Sequence, residues 1–474
     1  MNDIELQGTT ALRPISWLVP LTIGSAQFMQ TLSSTVLVNA LPTMARAFSV
    51  EPLSLNVAIT MYLLAFACFL PISGWAADKL GAKRVFLAAI ALFALSSAAG
   101  GLARDIGELI AARVFQGIGA SLMMPVGRLV LLRTTPKAQL IGAMAVLTVP
   151  AMFGPMLGPL VGGFIVTYWD WRWIFFINLP VAAVGMLLIA RFVPNVKERV
   201  RDPFDWTGVV LLAGAMSSLI VGFEGLARDT SANSPGVAAF FLTGGLCVWL
   251  YRRHARRAKH VILDPSIFRI PTFFTAVAGA SVSRMTYNAM PFALAMLLQV
   301  GFGMSALAAG FLTFMTGVGS LTTKAVAPPL LRKFGFRRLL LINGVIVSAV
   351  ICSMGLIRPN TPHWLILCVL LAYGFFRSLQ NSSFVGLTYA DIDDEHMSRA
   401  TTTSSMFNQL NQSMGVGVAA TILHLLMRMG GHDQLTAESI YPVFWIMGSL
   451  GLLSLYFVFR LPRSAGVALS GVSV

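Results

Sequence analysis

The stretch from Gly74 to Ala103 reads GWAADKLGAKRVFLAAIALFALSSAAGGLA. All of its charges lie in the first part, and after Arg84 the next charged residue is Arg104. An uncharged run of this length can cross a hydrocarbon layer about 30 Å thick as an α-helix, because each residue adds about 1.5 Å. Where water is absent, a helix lets the N–H and C=O groups of its backbone form hydrogen bonds with each other. The stretch therefore predicts a charged loop followed by a membrane-spanning helix.

Runs of this kind recur along the whole chain of 474 residues. Hydrophobic residues make up 56% of the chain and charged residues 11%, which is too little charge to cover a soluble protein of this size. We therefore expect an all-α, polytopic membrane protein with about 14 spans. The predicted spans lie at residues 15–37, 52–76, 84–103, 107–131, 139–166, 172–192, 206–225, 236–251, 272–299, 304–326, 337–357, 363–385, 400–427 and 439–461.

The formal net charge is +15, but the cations are concentrated in every second loop between the predicted spans. The densest cluster contains Arg252, Arg253, Arg256, Arg257 and Lys259. Such asymmetry is typical of loops that stay in the cytoplasm during membrane insertion. It predicts that both termini are cytoplasmic. It also argues against nucleic acid as a partner, since the cations lie in short loops between apolar runs.

A second charged loop repeats the first. Residues 328–338 read PPLLRKFGFRR, and Gly335 lies 254 positions (335 − 81) after Gly81. Internal duplication is common in secondary transporters, which bind their solute between the repeats. The predicted units are an N-terminal six-helix bundle in residues 1–200, an inserted helix pair in residues 201–260 and a C-terminal six-helix bundle in residues 261–474.

Four motifs resemble those of a known family. Residues 74–84 resemble the G-x-x-x-D-R/K-x-G-R/K-R/K signature of the major facilitator superfamily. Residues 113–120 (RVFQGIGA) resemble its arginine motif in span 4, and residues 154–163 (GPMLGPLVGG) its antiporter motif in span 5. Residues 171–180 (WRWIFFINLP) resemble the start of span 6 in the drug:proton antiporters with fourteen spans, the EmrB/QacA type.

The resemblance implies the major-facilitator fold, in which two bundles rock around a central cavity and expose it to each side in turn. It implies a monomer in the bacterial inner membrane that exports small molecules in exchange for protons. The sequence contains neither a GxxxxGK[ST] phosphate loop nor a histidine–carboxylate cluster, so we expect no ATP, metal, cofactor or enzymatic activity. A channel or membrane sensor without alternating access is the alternative from another class.

One departure from the family concerns proton coupling. The family usually reads L-D-x-T in span 1, whereas residues 32–35 read LSST here, so that Ser33 replaces the expected carboxylate. Glu224 is an acid that falls within a predicted span. It is therefore our candidate for proton coupling.

The loop between spans 2 and 3 is a candidate cytoplasmic gate. Its glycines permit a tight turn, and its acid can accept charge-assisted hydrogen bonds or face a helix N-terminus. We expect this loop to latch the cytoplasmic ends of the spans together. A purely topogenic role would explain the cations but not the acid. The residues concerned are Gly74, Asp78, Gly81, Lys83 and Arg84.

The span-5 motif predicts a smooth helix face. Its glycines are spaced four residues apart, so they lie on one side of the helix and let another helix approach closely, while its prolines bend the span. The face is either an interface that limits leakage during switching or simple tight packing. The motif residues are Gly154, Pro155, Gly158, Pro159, Gly162 and Gly163.

Arginines inside the predicted spans indicate a polar cavity. Arg113 and Arg284 lie deepest, and each such charge costs at least about 2.5–3.5 kcal/mol in the hydrocarbon core. Fixed positive charge attracts anions, so the alternative function is export or exchange of organic anions such as carboxylates. Arg113 could instead be structural and donate to backbone carbonyls, and the amides could join helices. The candidate cavity residues are Gln27, Gln30, Ser34, Arg113, Arg284, Asn288, Asn408 and Gln412.

Overall fold

The computed structural model describes residues 18–52, 54–134, 140–193, 204–228, 235–258, 261–263, 265–429 and 435–461. These residues form helices and no β-strand, which confirms the predicted all-α class. The α-helices are α1 (Leu18–Phe48), α2 (Asn56–Phe69), α3 (Ile72–Leu80), α4 (Ala82–Leu102), α5 (Ile106–Thr134), α6 (Leu140–Tyr168), α7 (Trp173–Phe176), α8 (Asn178–Phe192), α9 (Trp206–Arg228), α10 (Pro235–Ala255), α11 (Pro271–Asn288), α12 (Met290–Ala295), α13 (Ala306–Met354), α14 (His363–Tyr389), α15 (Asp394–Met429) and α16 (Ala437–Phe459). A 3₁₀ helix at Pro265–Arg269 precedes α11, and a π-helix at Met296–Gly301 follows α12.

Several of these helices are suited to a bilayer. Among the described residues, seven are long and apolar enough to cross a membrane, or eight if α2 and α3 form one bent span. Large apolar side chains on the outer surface, such as Leu95, Leu187 and Leu242, are exposed, as contact with lipid requires. The predicted polytopic membrane protein is confirmed, whereas the count of 14 spans stays a prediction.

Prolines break two of the predicted spans. The run at 52–76 divides at Pro71 into α2 and α3, whose axes differ by 55°. The run at 272–299 divides into α11, α12 and the π-helix, with Pro291 at the start of α12. Proline has no N–H to donate and its ring clashes with the carbonyl four residues earlier, so a helix bends or stops there.

The loop between spans 2 and 3 is shorter than the sequence predicts. Gly74 lies within α3, so the prediction that it permits a turn is wrong. Ala76 and Ala77 are buried on the same helix, and their packing extends α3 to Leu80. Gly81 makes the turn into α4.

The two repeated loops turn at equivalent glycines. Gly81 has φ 96° and Gly335 has φ 68°, a region in which a side chain is strained. At Gly335 the backbone of α13 departs from helical geometry, so that two predicted spans meet there. This shared geometry supports an internal repeat. The division of the chain at residues 200 and 260 stays a prediction.

Helix packing sets the framework of the site. α1 packs along α6, and α6 also packs along the first part of α13. α2 packs against α5 and α15, while α9 pairs with α10 and lies against both α2 and α15. The two predicted bundles therefore meet at two contacts. In one, α6 of the N-terminal bundle packs against α13 of the C-terminal bundle, and in the other, α2 packs against α15. α9 lies beside the second of these contacts.

Replacing either loop glycine with alanine is expected to destabilise the protein. A Cβ is strained at positive φ, at a cost of about 1–2 kcal/mol for each replacement. Gly74→Ala is the matched control, because Gly74 is helical and a Cβ there would meet no atom within 4 Å. Thermal unfolding of the purified protein in detergent should rank Gly81→Ala and Gly335→Ala below Gly74→Ala. Equal Tm values for all three would contradict the strained turns.

Candidate functional site

Arg113 of α5 is the centre of a buried polar cluster, and only 1% of the residue's surface is exposed. Its Nε donates to the backbone oxygen of Ala58 on α2 at 3.2 Å, and its Nη1 donates to Oε1 of Gln116 one helical turn away. The guanidinium carbon lies 4.2 Å from the centre of the Tyr62 ring. The bond to Ala58 is the kind that the structural alternative for Arg113 predicts. The Nη2 atom is buried and has no hydrogen-bond partner.

Gln116 connects this arginine to three further helices. Its Nε2 donates to Ser33 Oγ on α1 and to Ser97 Oγ on α4, both at 3.2 Å. Ser97 Oγ also accepts from Asn178 Nδ2 on α8 at 2.9 Å and donates to the backbone oxygen of Phe175 at 2.9 Å. Because all of these groups are buried, each hydrogen bond offsets a desolvation cost. The network therefore ties α1, α4, α5 and α8 together.

A second polar cluster surrounds Arg284 of α11, which is 5% exposed. Arg284 Nε and the Tyr287 hydroxyl both donate to Asn381 Oδ1 on α14, each at 3.1 Å. The Tyr373 hydroxyl donates to the backbone oxygen of Tyr287 at 2.7 Å. The guanidinium carbon of Arg377 lies 5.7 Å from the centre of the Tyr373 ring. The cluster thus holds two arginines between α11 and α14.

Neither cluster contains a paired acid. Within the described part of the chain, the two charged residues that are buried are Arg113 and Arg284, and neither forms an ion pair there. An unpaired charge in a low-dielectric interior costs several kcal/mol, of which a cation–π contact returns about 2 kcal/mol or more. The electrostatic potential of both clusters is therefore positive.

The remaining predicted cavity residues are dispersed. Gln27 and Gln30 are buried in α1, and Gln27 Nε2 lacks a hydrogen-bond partner. Ser34 donates to the backbone oxygen of Thr31 in its own helix at 2.8 Å. In the predicted C-terminal bundle, Asn288 is the last residue of α11 and is half-buried. Gln412 of α15 is also half-buried, whereas Asn408 of α15 is exposed. No hydrogen bond of the described residues joins the Arg113 cluster to the Arg284 cluster, so their use as one cavity stays a prediction.

Sequence reasoning missed several members of the two clusters. Gln116 and Asn178 lie in motifs that were recognised, three residues after Arg113 and at the start of α8. Ser97, the partner of both, and Asn381, the partner of Arg284, carry no local signal, because a serine or an asparagine inside an apolar run can face any direction. Only the packing of distant helices brings them into contact.

The candidate gate loop contacts its own half of the chain. Lys83 Nζ donates to the backbone oxygen of Ala190 at the end of α8 at 2.6 Å. Lys79 Nζ lies 4.7 Å from the centre of the Trp75 ring. Asp78 is half-buried and Arg84 is exposed. The Lys83 contact ties the turn between α3 and α4 to the end of α8, whereas the Lys79 contact lies within α3.

The glycine face of α6 lies directly against α1. A Cβ on Gly154 would overlap Thr31, a Cβ on Gly158 would overlap Thr35, and a Cβ on Gly162 would lie 2.7 Å from the backbone oxygen of Val36. Next to this face, Gly163 meets the backbone of Ala306 on α13.

The prolines of the motif lie within α6, as predicted. Pro155 and Pro159 remove two backbone donors, which leaves carbonyls on α6 to find other partners. The backbone oxygen of Pro159 accepts from Asn39 Nδ2 of α1 at 2.9 Å. The motif therefore joins three helices through close backbone contact.

A cleft of about 510 Å³ lies at the end of the molecule that the charge pattern predicts to face outside. It is lined by residues of α1, α6, the π-helix and the segment that leads into α13, including Arg46, Thr167 and Met304. Gln299 Nε2 donates to the backbone oxygen of Asn39 at 3.1 Å, which holds the two halves together beside this cleft.

The side chain of Glu224, the candidate for proton coupling, lies outside the described residues, although its backbone belongs to α9.

An alanine on the glycine face should disrupt the contact between α1 and α6. Gly158→Ala is expected to lower Tm and abolish transport, since overpacking of this kind costs about 1–3 kcal/mol or more. Gly185→Ala on α8 is the control, because a Cβ there would meet no atom within 4 Å. Thermal unfolding of both purified variants gives their Tm values, and solute flux into proteoliposomes measures their transport. If Gly158→Ala behaved like Gly185→Ala, the close helix contact would be unnecessary.

Comparison with known proteins places this site in a family. The profile of the Major Facilitator Superfamily matches residues 23–416. The multidrug resistance protein MdtD of Cronobacter sakazakii is 36% identical over 413 residues, which cover 87% of this chain and 86% of the relative. The protein of the same name in Escherichia coli O6:H1 is 33% identical over 438 residues, which cover 92% of this chain and 93% of the relative.

Solved structures have the same fold at much lower identity. A D-xylose-proton symporter aligns with a TM-score of 0.67 at 15% identity and covers 95% of this chain and 98% of its own. The xylose transporter XylE of Escherichia coli in its inward-open conformation gives a TM-score of 0.62 at 14% identity, with coverage of 96% and 98%. At these identities the similarity concerns the fold alone.

The predicted superfamily and fold are confirmed by these matches, whereas membership of the fourteen-span drug:proton antiporters stays a prediction. The relatives are bacterial proteins that align over most of their length. This chain is therefore a multi-pass transporter of the bacterial inner membrane, not an enzyme, and it belongs to the major facilitator superfamily.

Proposed function

We propose that this protein is a secondary active transporter of the multidrug efflux type, which exports small molecules in exchange for protons. The observation that carries the proposal is the similarity, over most of both chains, to bacterial proteins named multidrug resistance protein MdtD. The polar clusters around Arg113 and Arg284 support it, because polar groups inside apolar helices provide contacts that the bilayer does not. Such a protein would act as a monomer with both termini in the cytoplasm.

The proposed transport cycle is alternating access by rocking of residues 1–200 against residues 261–474. Two bonds would close the outer end: Gln299 Nε2 to the backbone oxygen of Asn39, and the N–H of Leu307 to Thr167 Oγ1 at 3.2 Å. The close contacts of α6 with α1 and α13 would exclude water along the interface while the bundles move. When the outer bonds break, the cytoplasmic ends would have to close.

The gate loop is the proposed device for that cytoplasmic closure. Lys83 already holds the loop to the end of α8, so the loop can move with that helix as one body. Asp78 lies at the last turn of α3, where its charge can meet donors from the opposite half. The polar side chains of the predicted cavity, among them Gln30, Asn288 and Gln412, would then face the solute between the two closures.

Saturable exchange is the test of this function. Reconstituted into proteoliposomes, the protein should transport a lipophilic dye with saturation, and unlabelled dye on the opposite side should accelerate the exchange. A carrier shows this acceleration because its binding site must reorient, whereas a channel does not. Linear, unsaturable flux without acceleration would contradict alternating access and favour a channel.

Proton coupling has its own test. Ser33 offers a hydroxyl where a carboxylate is expected, so it does not exchange protons near neutral pH. We propose that Glu224 takes this role, and Glu224→Gln should lose proton flux that accompanies dye exchange. Ser217→Ala, on the same helix, is the control. Undiminished proton flux in Glu224→Gln would exclude Glu224 as the coupling residue.

A second candidate function is export or exchange of organic anions. It is favoured by the two buried arginines that lack a described acid. Arg284→Ala should then abolish transport of a carboxylate such as benzoate, whereas Arg172→Ala, an arginine already paired with Asp170, should not. Unchanged benzoate transport in Arg284→Ala would remove the main support for this candidate.

A further inference from the structure

One donor of Arg113 has no acceptor in the structure. Nη2 is buried and unpaired, although Nε and Nη1 of the same guanidinium are bonded to Ala58 and Gln116. A charged donor left unpaired in a low-dielectric interior is unfavourable, because no described protein group replaces its lost hydration. The unpaired Nη2 therefore indicates an acceptor that the described residues do not supply.

The groups around Nη2 are suited to a negative charge. Ser33 Oγ accepts from Gln116 Nε2, and its own O–H donates to no described residue. Gln116 Oε1 is already occupied by Arg113 Nη1. Tyr62 covers one side of the guanidinium with its ring at 4.2 Å. A positive charge with spare donors and no ion pair to a described carboxylate selects an anion.

Burial limits the size of that anion. Arg113 and Gln116 are 1% exposed, and the residues that flank them, Tyr62 and Ser33, are 2% and 5% exposed. A drug-sized solute would have to separate α1, α2 and α5 to reach Nη2. A single halide ion or a very small carboxylate needs far less space.

We propose that Arg113 and Ser33 bind one small monovalent anion, such as chloride, as the resident counter-ion of Arg113, while Gln116 positions Ser33 by donating to its Oγ. The ion supplies the negative charge that Ser33 does not. It neutralises a cation that holds α2 and α5 together, and it leaves the Arg284 cluster as the separate positive centre. The role of the ion in transport rests on the proposed function, whereas its binding does not.

Equilibrium binding of radiolabelled chloride to the purified full chain in detergent tests the site. Ionic strength is held constant with sodium HEPES, whose sulfonate is too large to enter the buried surroundings of Arg113. The wild-type protein should bind about one chloride per chain, and its Tm should rise with chloride concentration and then saturate. Ser33→Asp places a carboxylate next to Gln116 and Arg113, so it should weaken chloride binding about tenfold or more and make Tm independent of chloride.

Two variants serve as controls. Ser33→Ala removes the hydroxyl without adding charge, so it should weaken chloride binding only a few-fold, much less than Ser33→Asp does. Arg172→Gln removes an arginine in a similar setting, since Arg172 lies 4.5 Å from the Trp171 ring centre and donates to the backbone oxygen of Ala103. Arg172 differs in having Asp170 as an ion-pair partner at 3.5 Å. Its loss should leave chloride binding unchanged.

The outcomes separate the site from the transport function. Undiminished chloride binding in Ser33→Asp, or no saturable binding of either chloride or formate to the wild type, overturns the proposal. Competition by formate assigns the site to small monovalent anions, and its absence assigns it to halides. Dye efflux is measured with the same preparations in buffer with chloride and in buffer without it. Efflux without anion binding refutes the site and leaves the proposed function standing, whereas binding without efflux refutes the function and leaves the site standing.

Discussion

A buried arginine that has no carboxylate partner among the described residues is the constraint around which the first half of this protein is arranged. Arg113 retains its place because Ala58, Gln116 and the ring of Tyr62 each compensate part of its lost hydration. Hydrogen bonds to a charged group contribute about 1.5–3 kcal/mol each, so the helices that carry these partners are held in one register. Through Gln116 the constraint extends to α1, α4 and α8.

Close backbone contact is the second element of the design. Apolar side chains gain little from association in a bilayer, because lipid is as apolar as they are. Glycines on α6 let α1 and α13 approach closely, so that atoms of these two helices touch the backbone of α6. Dispersion and hydrogen bonds can therefore act along the contact. The bond from Asn39 to the carbonyl of Pro159 adds a hydrogen bond across the contact between α1 and α6.

The sequence predicted the site less well than the fold. Arg113 and Arg284 were found because a charge inside an apolar run is conspicuous, and both are buried among polar partners. Gly74 was misplaced, because its run of small residues reads equally well as a loop and as a helix that Ala76 and Ala77 bury. Ser97 and Asn381 were missed, since a single polar residue in a span gives no indication of the direction in which it points. Whether the two arginine clusters serve one cavity stays a prediction.

The sequence by itself determined that this chain is an all-α membrane protein of the major facilitator type, and it located both repeated turns at Gly81 and Gly335. The reason is that the length of an apolar run, the position of charge and the need for glycine at positive φ are local properties. Only the tertiary structure decided which residues share a cluster. Ser33 and Gln116, or Arg284 and Asn381, are distant along the chain, and their contacts depend on how each helix is rotated and packed against its neighbours.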